Sequence, residues 1–392
     1  MNSLDQRTLD DFPQRFIDAV ETPCYIVSED VLQRNCELLD CVQQRTGAKI
    51  LLALKAFALP AVFPLIGKYL HGVCASGPIE AQLGFEDFGG EVHTYSPAYS
   101  KEQMARVIRF SDHILFNSIR QWHVHRSAIE ASAKDISIGL RVNPGHSEVE
   151  VDLYNPCLPG SRFGINPVDL EGADLSGISG LHFHALCEQG ADVLVRVLES
   201  FERRFGNYIA GMRWVNFGGG HHITRKGYDV DLLCNTINNF RKRHNDIAVF
   251  LEPGEAVVLD GGVYVTSVVD IVDNGMMIAV VDGSAETHLP DVLAMPYRPH
   301  LIGSGKPEEF AYTYRLGGNS CLAGDIIGDY SFSKPLEIGD RLVLTDMALY
   351  SFVKNTTFNG VELPSLYTCS LSSESPKCVR KFGYKDYLGR IA

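Results

Sequence analysis

The sequence predicts an α/β fold: a parallel (β/α)8 TIM barrel followed by a C-terminal β-domain. Three observations carry that prediction. Between residues 49 and 251, short aliphatic runs alternate with longer amphipathic stretches. The short runs number eight, the strand count of a closed parallel barrel. Beyond Gly261 the chain changes to alternating β-type runs without helices of comparable length. With 392 residues, 45% hydrophobic and 21% charged, the chain can bury a sizeable core. Two or three domains are expected at ~150 residues each.

In order, an opening strand at 24–27 leads into a helix whose Val31, Leu32, Leu38, Leu39 and Val42 share one face. Strands are expected at 49–54, 71–75, 90–94, 113–116, 136–142, 179–184, 213–217 and 247–251. Helices are expected at 60–70, 78–87, 100–110, 118–133, 191–206 and 229–244, with 143–178 a long loop rich in Pro and Gly. Runs at 263–272, 276–281, 310–316 and 341–345 build the β-domain. The opening strand precedes the first barrel helix and is expected to pair there. The barrel domain then spans 28–260, and the β-domain combines 1–27 with 261–392.

Acidic residues outnumber basic ones, 48 to 35, for a net charge of −13, and no Lys/Arg run approaches five. That argues against a nucleic-acid partner; a mild acidic excess usually serves solubility, and it would also attract a cationic substrate. The ten cysteines show no Cys-x-x-Cys pair or zinc-ribbon spacing, so reduced thiols are expected. The polar first twelve residues lack the basic and apolar regions of a signal peptide, and no run reaches the ~18 apolar residues of a membrane span. A cytoplasmic protein without a membrane partner is expected.

Working residues of such barrels stand where strands end. Lys55 closes the first barrel strand as the only charged residue between Ile50 and Gly67. Apolar neighbours would lower the pKa of its ammonium, as a lysine that condenses with an aldehyde needs. A lysine at a strand end also snorkels to the surface, and this segment alone does not separate the two readings. His182 and His184 share a face by the period of two. They could ligate a metal or face a planar cofactor, and His182 could equally be a hydrogen-bonded core histidine. No further ligand set accompanies them, so no metal is expected.

Gly218, Gly219 and Gly220 follow the seventh strand, where backbone N–H groups of such barrels close around a phosphate. Glu252 ends the eighth strand at the same mouth, where an exposed loop acid is the plainer alternative. Together these propose a pyridoxal phosphate site: Lys55 for the aldehyde, His184 against the ring, the glycines on the phosphate and Glu252 on the pyridine nitrogen.

The segments Thr22-Pro23-Cys24-Tyr25, Ala53-Leu54-Lys55-Ala56, His146 to Asp152, Gly160-Ser161-Arg162-Phe163-Gly164, His182-Phe183-His184, Glu252-Pro253-Gly254-Glu255, Leu289-Pro290-Asp291 and Met295 to Pro299 carry a resemblance over nearly the whole chain. The sequence resembles the fold-type III pyridoxal phosphate decarboxylases, the group acting on ornithine, arginine and diaminopimelate. The resemblance implies pyridoxal 5'-phosphate as cofactor, an alanine racemase-like barrel, and a homodimer whose active sites are shared across the interface. It implies that Cys321 helps protonate the carbanion in the partner's site, that Asp325 approaches the substrate's distal amine, and that Tyr350 lies near the phosphate. Without it, Cys321 would read as an inert thiol and Tyr350 as a strand aromatic.

Where ornithine and diaminopimelate decarboxylases carry Glu-Pro-Gly-Arg, this chain carries Glu255 in place of the arginine. The swap removes an anion contact and adds attraction for ammonium groups. Glu255 and Asp291 resemble substrate-binding acids of the branch acting on carboxynorspermidine and carboxyspermidine. The family serine shortly after the stacking histidine is not evident around Cys187-Glu188. The rival expectations are decarboxylation of ornithine or diaminopimelate, racemisation, a catalytically inactive regulator of the same fold, and a metal-dependent hydrolase resting on His182 and His184.

Overall fold

The computed structural model describes residues 3–392, and two compact units are formed, residues 34–257 and residues 258–392 with the segment up to Gln33. The strands are β1 Cys24–Ser28, β2 Lys49–Ala53, β3 Gly72–Ala75, β4 Glu91–Tyr95, β5 His113–Phe116, β6 Ser137–Arg141, β7 Ile178–His182, β8 Trp214–Asn216, β9 Ala248–Leu251, β10 Gly262–Asp273, β11 Met277–Val281, β12 Tyr312–Gly317, β13 Ile326–Phe332, β14 Arg341–Thr345, β15 Ser365–Cys369 and β16 Lys377–Arg380.

In the first unit β2 to β9 close in chain order into a parallel barrel, β2 pairing with β9. Its strands are short runs of buried aliphatic residues such as Ile50, Leu51, Leu52, Ile114, Leu115 and Phe116, which pack on both faces as parallel strands require. Outer helices run over Lys101–Phe110, Ile119–Glu130, Ala191–Ile209 and Val230–Arg243. The side chains of Ser100, Ser118 and Asp229 cap three of their N-termini by accepting backbone N–H bonds.

Two expected helices are shorter than their periodicity suggested. Residues 60–70 form a 3-10 turn and a four-residue helix, Phe63–Ile66. Pro60 and Pro64 supply no N–H to extend it. The helix expected at 78–87 is α-helical over Pro78–Leu83 and widens to a π turn over Gly84–Phe88. There a Cβ on Gly84 would lie 2.4 Å from Val73.

The barrel interior is filled unevenly. Leu51, Leu115, Trp214 and Phe250 form one buried cluster. Trp214 lies across two glycines on neighbouring strands: a Cβ on Gly180 would stand 2.1 Å from its indole, and one on Gly139 2.3 Å. Volume taken by β8 is given up by β7 and, one strand further on, by β6, as close packing demands.

In the second unit the sheet order is β13-β12-β11-β10-β1-β15-β16, with β14 also pairing β10. β1 is antiparallel to β10 and parallel to β15. The polar opening segment is helical, over Ser3–Asp11 and Gln14–Asp18. Phe12, Phe16, Ile17 and Val20 around these helices are buried with Ile26, Val263 and Val265, giving the segment an apolar anchor. No helix among the described residues is long and apolar enough to cross a membrane.

Candidate active site

Lys55 stands just past β2, on a turn closed by the Ala56 N–H donating to the Ala53 carbonyl at 3.1 Å. Leu54, Ala56 and Phe57 around it are at most 1% exposed, whereas Lys55 itself is exposed. The backbone thus turns its apolar neighbours inward and its amine outward. No hydrogen bond or ion pair engages that amine among the described residues.

Three strand ends are joined through one carboxylate. Glu252, after β9, accepts from Nε2 of His182 at 3.2 Å and from Nδ2 of Asn216 at 2.7 Å. His182 and Asn216 close β7 and β8 and are 2% and 0% exposed. Burial works against ionisation of Glu252, but its two donors outweigh it and hold the carboxyl at about 2. Burial pulls His182 below the ordinary imidazole value. The neutral ring donating from Nε2 leaves Nδ1 as a buried acceptor without a partner among the described residues. Tyr95 stacks against this ring at 5.8 Å.

His184 follows two residues on, and the Gly219 N–H lies 3.1 Å from its Nδ1. Burial, then the charges of Lys55, Arg141 and His182, hold it well below its ordinary pKa, so it is neutral. Sequence reasoning missed Arg141 at the end of β6. Its guanidinium is covered by the rings of Tyr95 at 4.6 Å and Phe163 at 4.4 Å, and donates to the His184 carbonyl at 3.3 Å. Asn216 was missed too, being one polar residue in an apolar strand; its register opposite His182 on β7 was the available signal.

The glycine turn departs from its expected role. A Cβ on Gly218, Gly219 or Gly220 would lie 2.4, 2.4 or 2.0 Å from the carbonyl oxygens of Phe183, Glu252 or Leu186. The glycines therefore permit close backbone packing. Gly218 donates its N–H to Oδ1 of Asn216 at 2.8 Å, so that amide is not left for an anion, while Nδ1 of His184 lies 3.1 Å from both the amide nitrogen and the carbonyl oxygen of Gly219. Among the described residues no acceptor meets the N–H of Gly220 or of His221. Glu255 opens a four-residue helix, its Oε2 3.6 Å from Nε2 of His222.

Asp291, Cys321, Asp325 and Tyr350 belong to the sheet unit. Asp291 is paired with the ammonium of Lys354. Cys321 is exposed, its N–H donating to Oδ1 of Asn359 at 2.7 Å. Tyr350 has φ +46°, an uncommon backbone for a bulky residue. Asp325 departs from expectation. It is 4% exposed, and its carboxylate accepts from Ser284 Oγ at 2.7 Å and from the N–H groups of Ala285, Glu286 and Ser320 at 2.7, 3.2 and 3.1 Å. Four donors on two oxygens make it a brace between two loops.

A metal fits poorly. Glu91, His93 and His113 form the one metal-ligand grouping found among the described residues, on strands β4 and β5. The two imidazoles stack with centroids 3.8 Å apart and planes within 9°. One ion cannot lie in both ring planes, so their lone pairs do not converge on it. Pyridoxal phosphate fits better. The barrel mouth offers an amine without a partner, a carboxylate held ionised for a ring nitrogen, a neutral imidazole for a flat ring, and two backbone donors without acceptors.

Comparison with known proteins agrees with this geometry. The family described as pyridoxal-dependent decarboxylase, C-terminal sheet domain, matches residues 24–348. The chain is 46% identical over 385 residues to the carboxynorspermidine/carboxyspermidine decarboxylase of Campylobacter jejuni, covering 95% of this chain and 99% of that one. It is 41% identical to the carboxyaminopropylagmatine decarboxylase of Synechocystis, covering 96% of each. The solved structure of carboxynorspermidine decarboxylase complexed with norspermidine from Campylobacter jejuni superimposes with TM-score 0.87 at 44% identity, over 95% of this chain and 100% of that chain.

Proposed function

This chain belongs to the pyridoxal-dependent decarboxylases, and from that membership we propose that it converts carboxynorspermidine to norspermidine and carboxyspermidine to spermidine, releasing carbon dioxide. The observation that carries the reading is the 46% identity extending over both chains almost end to end. When bound, pyridoxal phosphate supplies an aldehyde for an amine and a ring that accepts the electron pair left by a departing carboxylate.

The residues divide the remaining work. Lys55 would hold the cofactor's aldehyde through its amine. Glu252, kept ionised by His182 and Asn216, holds a proton on the ring nitrogen. His184 lies against the ring, pinned by Gly219 and by Arg141 beneath its carbonyl. Cys321 gives the proton that takes the place of the lost carboxylate, and acts from the partner of a homodimer. Glu255 and Asp291 meet the ammonium groups of the polyamine arm, with Lys354 leaving Asp291 as the substrate enters. Tyr350 stands near the phosphate. Ten unpaired thiols suit a reducing cytoplasm.

The Synechocystis relative supports a second reading, in which the arm ends in a guanidinium. A planar fork pairs with a carboxylate through two hydrogen bonds, and Asp291 could receive it. The test is carbon dioxide release by the cofactor-loaded chain from carboxynorspermidine, carboxyspermidine, carboxyaminopropylagmatine, ornithine and meso-diaminopimelate, each repeated with Lys55→Ala. Release from the first two, abolished by the substitution, is expected. Turnover of carboxyaminopropylagmatine alone establishes the second reading, and turnover of ornithine or diaminopimelate alone overturns both.

A further inference from the structure

We propose that His222, backed by Glu255, is the side chain that meets the phosphate of pyridoxal phosphate, in place of the arginine of the related Glu-Pro-Gly-Arg motif. The inference rests on the family's cofactor and not on the choice of substrate.

The barrel mouth lacks the anion contacts its relatives would lead one to expect. Glu255 replaces the arginine, and no serine stands around Cys187-Glu188. The amide of Gly218 is spent on Asn216, and His184 packs its Nδ1 3.1 Å from both the amide nitrogen and the carbonyl oxygen of Gly219. A phosphate dianion still needs donors and positive charge.

His222 follows directly on the two consecutive amides, Gly220 and His221, that lack acceptors. It is 7% exposed, and neither ring nitrogen has a hydrogen-bond partner among the described residues. A buried imidazole with both nitrogens unused is a costly thing to keep unless a ligand completes it. Its Nε2 lies 3.6 Å from Oε2 of Glu255, beyond a good hydrogen bond but within ion-pair range.

The two nitrogens of an imidazolium donate in different directions. With Nε2 turned to Glu255, Nδ1 remains for the phosphate, giving a carboxylate–imidazolium–phosphate chain in which each anion keeps the ring charged. With Glu255 already at 3.6 Å, burial, then the charge of Arg225, draws the ring down to about 4. A phosphate dianion at Nδ1 would favour the charged ring. Arg225 is itself a cation near enough to His222 to favour an anion there. The replacement of arginine by glutamate then acquires a purpose: the carboxylate recruits a histidine for the task the arginine performed.

Pyridoxal, which lacks the phosphate, isolates the contact. The full-length chain, stripped of cofactor, is titrated with pyridoxal phosphate and with pyridoxal, following the absorbance of the bound chromophore. In His222→Gln the Kd for pyridoxal phosphate is expected to rise by roughly tenfold or more, the worth of one charge-assisted hydrogen bond, with that for pyridoxal unchanged. The phosphorus-31 resonance of the bound cofactor should move as well, and His222→Lys should recover part of the affinity. An unchanged Kd for pyridoxal phosphate overturns the proposal. So does an equal loss for both ligands, which would make His222 a prop for the pocket, and circular dichroism shows whether the variant is folded. A wild-type chain that binds neither ligand overturns the cofactor assignment itself, whereas one that binds the cofactor but releases no carbon dioxide from polyamine substrates leaves this inference intact.

Discussion

Glu252 accepts from His182 across 3.2 Å while both are nearly sealed from solvent, their side chains 12% and 2% exposed. The pair keeps a negative charge at the barrel mouth that burial alone would neutralise. Glu252→Gln retains the shape and removes the charge. It is expected to lower kcat on the order of a hundredfold, with a much smaller change in KM. Steady-state carbon dioxide release measures both, and an unaltered kcat would separate Glu252 from the chemistry.

Stability should decline on mild acidification. Burial, with His93 adding to it, pulls the largely buried His113 to about 2, and burial holds His221 and His288 at about 4, against 6.5 when exposed. A depressed base takes its proton first in the unfolded chain. Stability is therefore fully present above pH 6.5 and lost as pH falls toward 4, by up to about 1.4 kcal/mol per pH unit for each histidine. The depressed Glu252 acts in the same sense lower down, its contribution complete above 4.5 and lost toward 2. Urea midpoints between pH 8 and 4.5 should be level at first and fall below 6.5; a midpoint that rose on acidification would refute the assignment.

Asp325→Asn tests the bracing role. An amide replaces one accepting oxygen with an NH2 facing other donors, so the variant should lose about 3 kcal/mol of stability. Substrate KM should hold in whatever remains folded. Full thermal stability with a raised KM would return Asp325 to the substrate.

Gly180→Ala should cost about 1–3 kcal/mol, because its Cβ meets the Trp214 indole. Pairing it with Trp214→Leu should recover part of the loss, a coupling that a double-mutant cycle of denaturation midpoints reads directly. Independent, additive losses would show that the indole moves aside freely.

Much of the architecture could be read from the chain because parallel strands are buried on both faces and stand out as short aliphatic runs. All eight barrel strands lie within two residues of their expected limits. The strands β13, β15 and β16 were not foreseen: Ile326–Phe332 carries Gly328 and Asp329, and Lys377–Arg380 is mostly exposed, so neither shows a clear apolar face. The opening helices were hidden by their polar surfaces, since only Phe12, Phe16 and Ile17 reveal a buried side.

Lys55, His184 and Glu252 could be proposed from the chain because each stands alone at a strand end. A role that depends on neighbours brought in by folding could not. Asp325 looked like an acid awaiting an amine until Ser284, Ala285 and Glu286, some forty residues earlier, closed around it. Gly218 looked like part of an anion cradle until Asn216 claimed its amide.

The position of β1 between β10 and β15 bears on how the chain is born. A ribosome delivers Cys24–Ser28 first and its parallel neighbour Ser365–Cys369 near the end. At about 5–20 residues per second, the early strand waits on the order of tens of seconds for that neighbour. Meanwhile the whole barrel segment emerges and can fold. A nascent chain stalled before Ser365 would hold a finished barrel and an unsatisfied strand edge, the form most open to chaperone capture and to mispairing with another nascent copy.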